Sequence, residues 1–242
     1  LRPSPHAPEL AMALCTLGTV LRDLGRCVEA RQATHEGVAL LRQRGSPYQL
    51  TRSLTMLAGI MATMKEYAAA RQLLQESLTL CREWDNQIGL ADSLANLGNI
   101  AYRSGDYVEA QRLYLESQAL YEALGELEWA NVMRSNLGHA CQELGQYAAA
   151  GQHLREALQT SLQLSQGRFS INVLHGLAEW FEKQGQDVRA YEMATFVACH
   201  TLTYREAAEA ARQMAQGLAE KLSPEVAAAA EAQARAWTLD EA

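Results

Sequence analysis

Apolar residues recur along this chain at helical spacing, and the helical segments themselves recur every 40 residues. Leu17, Leu57, Leu97, Leu137 and Leu177 mark the period without slippage, and an alanine follows each by thirteen residues, at Ala30, Ala70, Ala110, Ala150 and Ala190. A small residue stands directly after each leucine (Gly18, Ala58, Gly98, Gly138, Ala178). Eight residues after the leucine come Gly25, Lys65, Gly105, Gly145 and Gly185. A fixed period in this range predicts stacked helical units that share one continuous core.

The third unit shows the plan. Leu94 to Tyr102 carries apolar residues at helical spacing, and Gly105 can take the left-handed conformation that stops a helix. Asp106 is suited to cap a second helix running through Ala110 and Tyr114 to about Leu124. Gly125 ends that helix, as Gly45, Asp85 and Ser165 do in the corresponding places. Gly98 and Ala110 are expected to let the paired helices approach closely, with Leu97 and Tyr114 filling the space beside that contact. The first unit departs from the plan at Cys27 and Thr34, the fifth at Asp187 and Ala194.

This Leu-Gly, Gly-x-Tyr, Ala pattern resembles the tetratricopeptide repeat over about residues 8–202, with a period of 40 residues where 34 is usual. The resemblance implies an all-α fold: a right-handed α-solenoid of five helix-turn-helix repeats over 1–202, after an irregular lead-in over 1–7. Beyond it an alanine-rich helical cap is expected over 203–242, with one helix from Arg205 to Leu222 and another opened by Ser223-Pro224-Glu225 and running to about Trp237. Thr238-Leu239-Asp240-Glu241 has the form of a capping box opening a further helix. With no initial Met, the chain is expected to be a piece of a longer protein. Long repeats of this kind are similar to those of bacterial signal-transduction ATPases with numerous domains, including maltose-activator-type regulators. They are also similar to those of spindle-orientation adaptors and kinesin light chains.

Composition narrows the partners. A formal charge of −7 disfavours nucleic acid or an anionic membrane, which call for a basic stripe. No run approaches the ~20 apolar residues of a membrane span, and no signal-peptide pattern opens the chain. Five cysteines (Cys15, Cys27, Cys81, Cys141, Cys199) without a C-x-x-C pair are expected to be buried thiols in a reducing cytoplasm.

Sequence signatures of catalysis are missing. G-x-x-x-x-G-K-[ST], G-x-S-x-G and H-E-x-x-H do not occur, so no enzyme and no cofactor is expected in this segment. His139 and His175 fall on first helices of successive units near Glu143 and Glu179. Their spacing matches no structural-site signature, and no metal is assigned.

In tetratricopeptide folds the first helices line the concave surface. Register then places Arg52, Thr55, Asp92, Asn99, Tyr102, Arg103, Ser135, His139 and Gln142 there, with Asn96 and Asn136 at its border. In the fifth unit the same face carries Asn172, His175, Glu179, Glu182 and Lys183. Amides and arginines on rigid helices can hydrogen-bond an extended peptide or a carboxylate. The alternative is a face of solvated polar residues. A groove basic at one end and acidic at the other would orient its ligand. The family resemblance implies the sensor arm of a multidomain ATPase or transcriptional regulator. Such an arm binds a protein, peptide or small-molecule inducer, contacts other domains of the same polypeptide and controls autoinhibition and oligomerisation. A constitutive adaptor that binds peptides in the same groove is the alternative.

Overall fold

The computed structural model describes residues 7–203 and 205–239, and among them the chain is all helix, with twelve helices and no strand. It forms two compact units, Leu1–Glu126 and Leu127–Ala242. The first contains α1 (Ala7–Asp23), α2 (Cys27–Arg44), α3 (Pro47–Thr63), α4 (Tyr67–Glu83), α5 (Gln87–Arg103) and α6 (Tyr107–Ala123). The second contains α7 (Leu127–Glu143), α8 (Tyr147–Gln163), α9 (Gly167–Lys183), α10 (Asp187–Cys199), α11 (Arg205–Ala219) and α12 (Pro224–Ala236).

From α3 to α9 every helix has 17 residues. The turns set this length. At Gly105, φ is +84°, and two hydrogen bonds close the end of α5: Gly105 N–H to the Tyr102 carbonyl and Asp106 N–H to the Ala101 carbonyl. This pairing satisfies carbonyls that the helix end leaves open. Asp106 then caps α6 by accepting from the Glu109 N–H. The same bond pair recurs at Lys65, Gly125, Gly145 and Ser165. Lys65, Asp85 and Ser165 hold positive φ without being glycine. Gly45 ends α2 as expected, but in extended backbone at φ −76°, and Ser46 with Gln49 forms a capping box that opens α3 at Pro47.

Within the first unit each helix packs on the next in sequence, and α3 also neighbours both α1 and α5. Leu57, Leu97, Ala70 and Ala110 are buried there, whereas Leu17 is 48% exposed. The ring of Tyr114, rather than Ala110, lies over Gly98: a Cβ at Gly98 would stand 2.6 Å from that ring. Gly138 makes the corresponding room for Leu154. In the second unit α7 neighbours α9, and α11 and α12 both pack on α10. Ser223 caps α12 with Pro224 in its first turn, as expected from sequence. Asp240 and Glu241 of the anticipated capping box lie outside the described residues.

The thiols correct one expectation. Cys15, Cys81 and Cys141 are buried, but Cys27 is half-buried and Cys199 is exposed. No described helix is long and apolar enough to cross a membrane.

Candidate functional site

The residues anticipated on the first helices separate into three clusters. The first joins α3 to α5. Arg52, Thr55, Asp92, Tyr48, Asn86 and Ile88 line a hollow of about 220 Å³. Asp92 accepts a hydrogen bond from the Tyr121 hydroxyl of α6 at 2.5 Å. Burial raises the Asp92 carboxyl above the usual carboxylate range, opposed by that bond and by the Arg52 charge. Tyr121 is pushed well above the usual phenol range, by burial first and by Asp92 second.

The second cluster lies one to three turns along the same helices. Asn96, Asn99 and Arg103 of α5 join Arg22 of α1 and Thr63 of α3 around about 260 Å³. Gly59 leaves this hollow open, since a Cβ there would meet nothing nearer than the Arg22 guanidinium at 3.8 Å. Asn96 donates to the Asp92 carbonyl at 2.8 Å, and Asn99 accepts from the Tyr114 hydroxyl at 2.8 Å. Both amides are thereby oriented while keeping further hydrogen-bonding capacity. Tyr102 is placed elsewhere, its ring set edge-on to Tyr107 at 5.3 Å.

The third cluster belongs to the second unit. Glu179 of α9 stands between the two histidines, 3.8 Å from His139 Nδ1 and 3.8 Å from His175 Nε2. Gly176 gives His139 its place, because a Cβ there would come within 2.6 Å of the imidazole. Burial depresses the basicity of His139, more than Glu179 restores it. Lys183 pairs with Glu143 at 2.7 Å, and Glu182 pairs with Lys221 at 2.9 Å. Among the described residues no three histidine, cysteine or acidic groups are arranged to hold a metal ion.

Other anticipated residues are placed less favourably for a ligand. Gln142 is 2% exposed, and its amide donates to the Gly176 carbonyl at 2.9 Å, tying α7 to α9. Ser135 is buried, Asn136 is half-buried, and Asn172 is exposed on α9. Sequence reasoning passed over Arg22 and Thr63. Yet Arg22 follows Leu17 by the five residues that separate Tyr102 from Leu97, and Thr63 matches Arg103. Extending the register to the first unit would have found Arg22, and completing it in the second would have found Thr63.

Models of the tetratricopeptide repeat match residues 49–123 and 133–163, and those segments are tetratricopeptide repeats. No curated protein sequence matches significantly. Solved structures share the fold at low identity. The signal transduction ATPase with numerous domains (STAND) protein with a tetratricopeptide repeat sensor, from Pyrococcus horikoshii, aligns with 96% of this chain and 37% of its own, at 13% identity and a TM-score of 0.72. The Rap protein complexed with Competence and Sporulation Factor aligns over 90% of this chain and 66% of its own, at 16% identity and a TM-score of 0.66. BtubC from P. vanneervenii aligns over 89% and 93%, at 17% identity and a TM-score of 0.62. The chain thus contains tetratricopeptide repeats, and its fold resembles part of a STAND protein that has a tetratricopeptide repeat sensor. Repeat arrays of this type are protein-binding modules that use extended helical surfaces.

Proposed function

We propose that this chain is the ligand-binding sensor module of a bacterial, cytoplasmic, multidomain signal-transduction ATPase or transcriptional regulator. In this reading it restrains the linked domains until an inducer binds, then releases them to oligomerise. The observation that carries a binding role is the hollow where Asn96, Asn99, Arg103 and Arg22 converge on the first-helix face of one unit. Oriented amides there suit the backbone of an extended peptide, and the guanidinium groups suit its acidic side chains. The regulatory setting is supported by the STAND protein, 37% of whose chain this domain covers. A ligand can switch such a module only by binding its two states with different affinity.

The test starts from an acidic peptide selected by display on the wild-type chain. Asn99→Ala with Arg103→Ala should weaken its binding by about tenfold or more, as expected for losing a charge-assisted hydrogen bond. Equal affinity for that double variant would overturn the groove assignment. A constitutive adaptor is the second reading, favoured by the matched tetratricopeptide repeats, which make a protein-binding module without any linked ATPase. The two separate when the chain is measured in its longer polypeptide. A sensor's peptide affinity changes between ATP and ADP, and an adaptor's does not.

A further inference from the structure

We propose that the peptide taken up by this groove carries, besides its acidic group, one large apolar side chain about five residues away, seated between Tyr48 and Ile88. The inference rests on the peptide-binding reading above and adds a second anchor to it.

The two hollows along α3 and α5 offer a ligand different things. They adjoin within about one helical turn: Thr55 and Asp92 line the first, and Gly59 and Asn96, four residues on, line the second. Among the described residues no acidic side chain lines the second, so the guanidinium groups of Arg22 and Arg103 favour an acidic guest there. In the first, the Arg52 charge already acts on the Asp92 carboxyl. Its other polar groups are bound within the protein. Thr51 donates to the Tyr48 carbonyl at 3.1 Å, and Thr55 donates to the Arg52 carbonyl at 2.7 Å. The Asn86 side-chain oxygen accepts from the Gly89 N–H at 3.0 Å, and Asp92 accepts from Tyr121.

What the first hollow leaves open is apolar. Tyr48 is 58% exposed and Ile88 44%, and both line it. Each stands in the first turn of its helix, where α7 and α9 carry Glu128 and Arg168 at the same register. The helix start therefore does not require an apolar residue. Here two of them leave apolar surface in water, and a guest side chain would cover it.

The fold sets the spacing. Ile88 and Asn99 are eleven residues apart on α5, about 16 Å along the helix, which an extended peptide covers in about five residues.

A random peptide library displayed on phage is selected on three forms of the full chain: wild type, Tyr48→Ser with Ile88→Ser, and Asn99→Ala with Arg103→Ala. Tyr48 and Ile88 are exposed, so serine there leaves the core intact, and circular dichroism checks that each form is folded. The wild-type pool should be enriched in peptides that place a large apolar residue about five positions from an acidic one, in either chain direction. On the serine pair the apolar preference should vanish while the acidic one persists. A peptide selected on wild type should bind the serine pair about tenfold more weakly by fluorescence anisotropy. The same peptide with its apolar residue replaced by serine should bind both forms equally. An apolar preference that is absent from the wild-type pool, has no fixed spacing, or survives the serine pair overturns the second anchor alone. Acidic enrichment indifferent to the change at Asn99 and Arg103 overturns the groove reading as well.

Discussion

At the scale of single residues, the repeats settle one steric question in several ways. The residue after the repeat leucine faces the one sixteen further on: Gly98 faces Tyr114, and Gly138 faces Leu154. In the second repeat the pair at the same two positions is Ala58 and Leu74, both fully buried. A small residue and a large one share a fixed space, and Tyr114 cannot yield because its hydroxyl is held by Asn99. Gly98→Ala should therefore destabilise the chain by about 1 kcal/mol net, overpacking outweighing the gain in helix propensity. Adding Tyr114→Leu should recover part of the loss in a double-mutant cycle followed by urea unfolding, and strict additivity would refute the shared-space account. Asp92 makes a different prediction. Its folded-state proton affinity is raised, chiefly by burial, so its stabilising contribution is full below the unfolded-state value and is lost as pH rises through the folded one. Asp92→Asn retains an oxygen for Tyr121 and removes the ionisation. The variant should gain stability relative to wild type as pH rises from the ordinary carboxylate range to neutrality. Parallel urea midpoints across that range would disprove it.

At the scale of helices, a turn of one left-handed residue followed by a cap sets the 17-residue length from α3 to α9. Where the left-handed residue is Lys65 or Ser165, its Cβ crowds the following carbonyl. Lys65→Gly and Ser165→Gly should each stabilise by about 1 kcal/mol, and Gly105→Ala should cost a similar amount. Nothing lies within 4 Å of a Cβ at Gly105, so that loss would come from the backbone alone. Thermal midpoints of the three single variants check the set, and a neutral Gly105→Ala would contradict it. These turns were legible in the sequence because glycine at fixed spacing announces positive φ. Gly45 ends its helix as the sequence indicates but without positive φ, because Ser46 and Pro47 open the next helix from extended backbone.

At the scale of the whole molecule, the helical fold was legible because every local signal agreed with the period: small residues, turns and caps fell in one register. The candidate clusters were legible only as a face. Register put Gln142 and His139 on it together, but only the structure shows the Gln142 amide committed to Gly176 and His139 seated over that glycine. The division into two compact units was not legible either, for the 40-residue period runs through Glu126 and Leu127 unbroken. One surface feature marks it: residues 122–129 are all exposed, between buried Tyr121 and buried Ala130. Within that run Glu126 occupies the turn from α6 to α7. Glu66 holds the equivalent place after α3, but it is half-buried and paired with Arg31 at 2.8 Å. Cleavage needs a segment that opens locally, and openings are easiest where few contacts hold the chain. Brief digestion with a glutamate-specific protease should therefore cut first at Glu126 and spare Glu66. Two fragments corresponding to the compact units should accumulate, each still helical by circular dichroism. Cleavage at Glu66 as early as at Glu126, or a ladder with no lasting pair of fragments, would show that the division carries no difference in local stability.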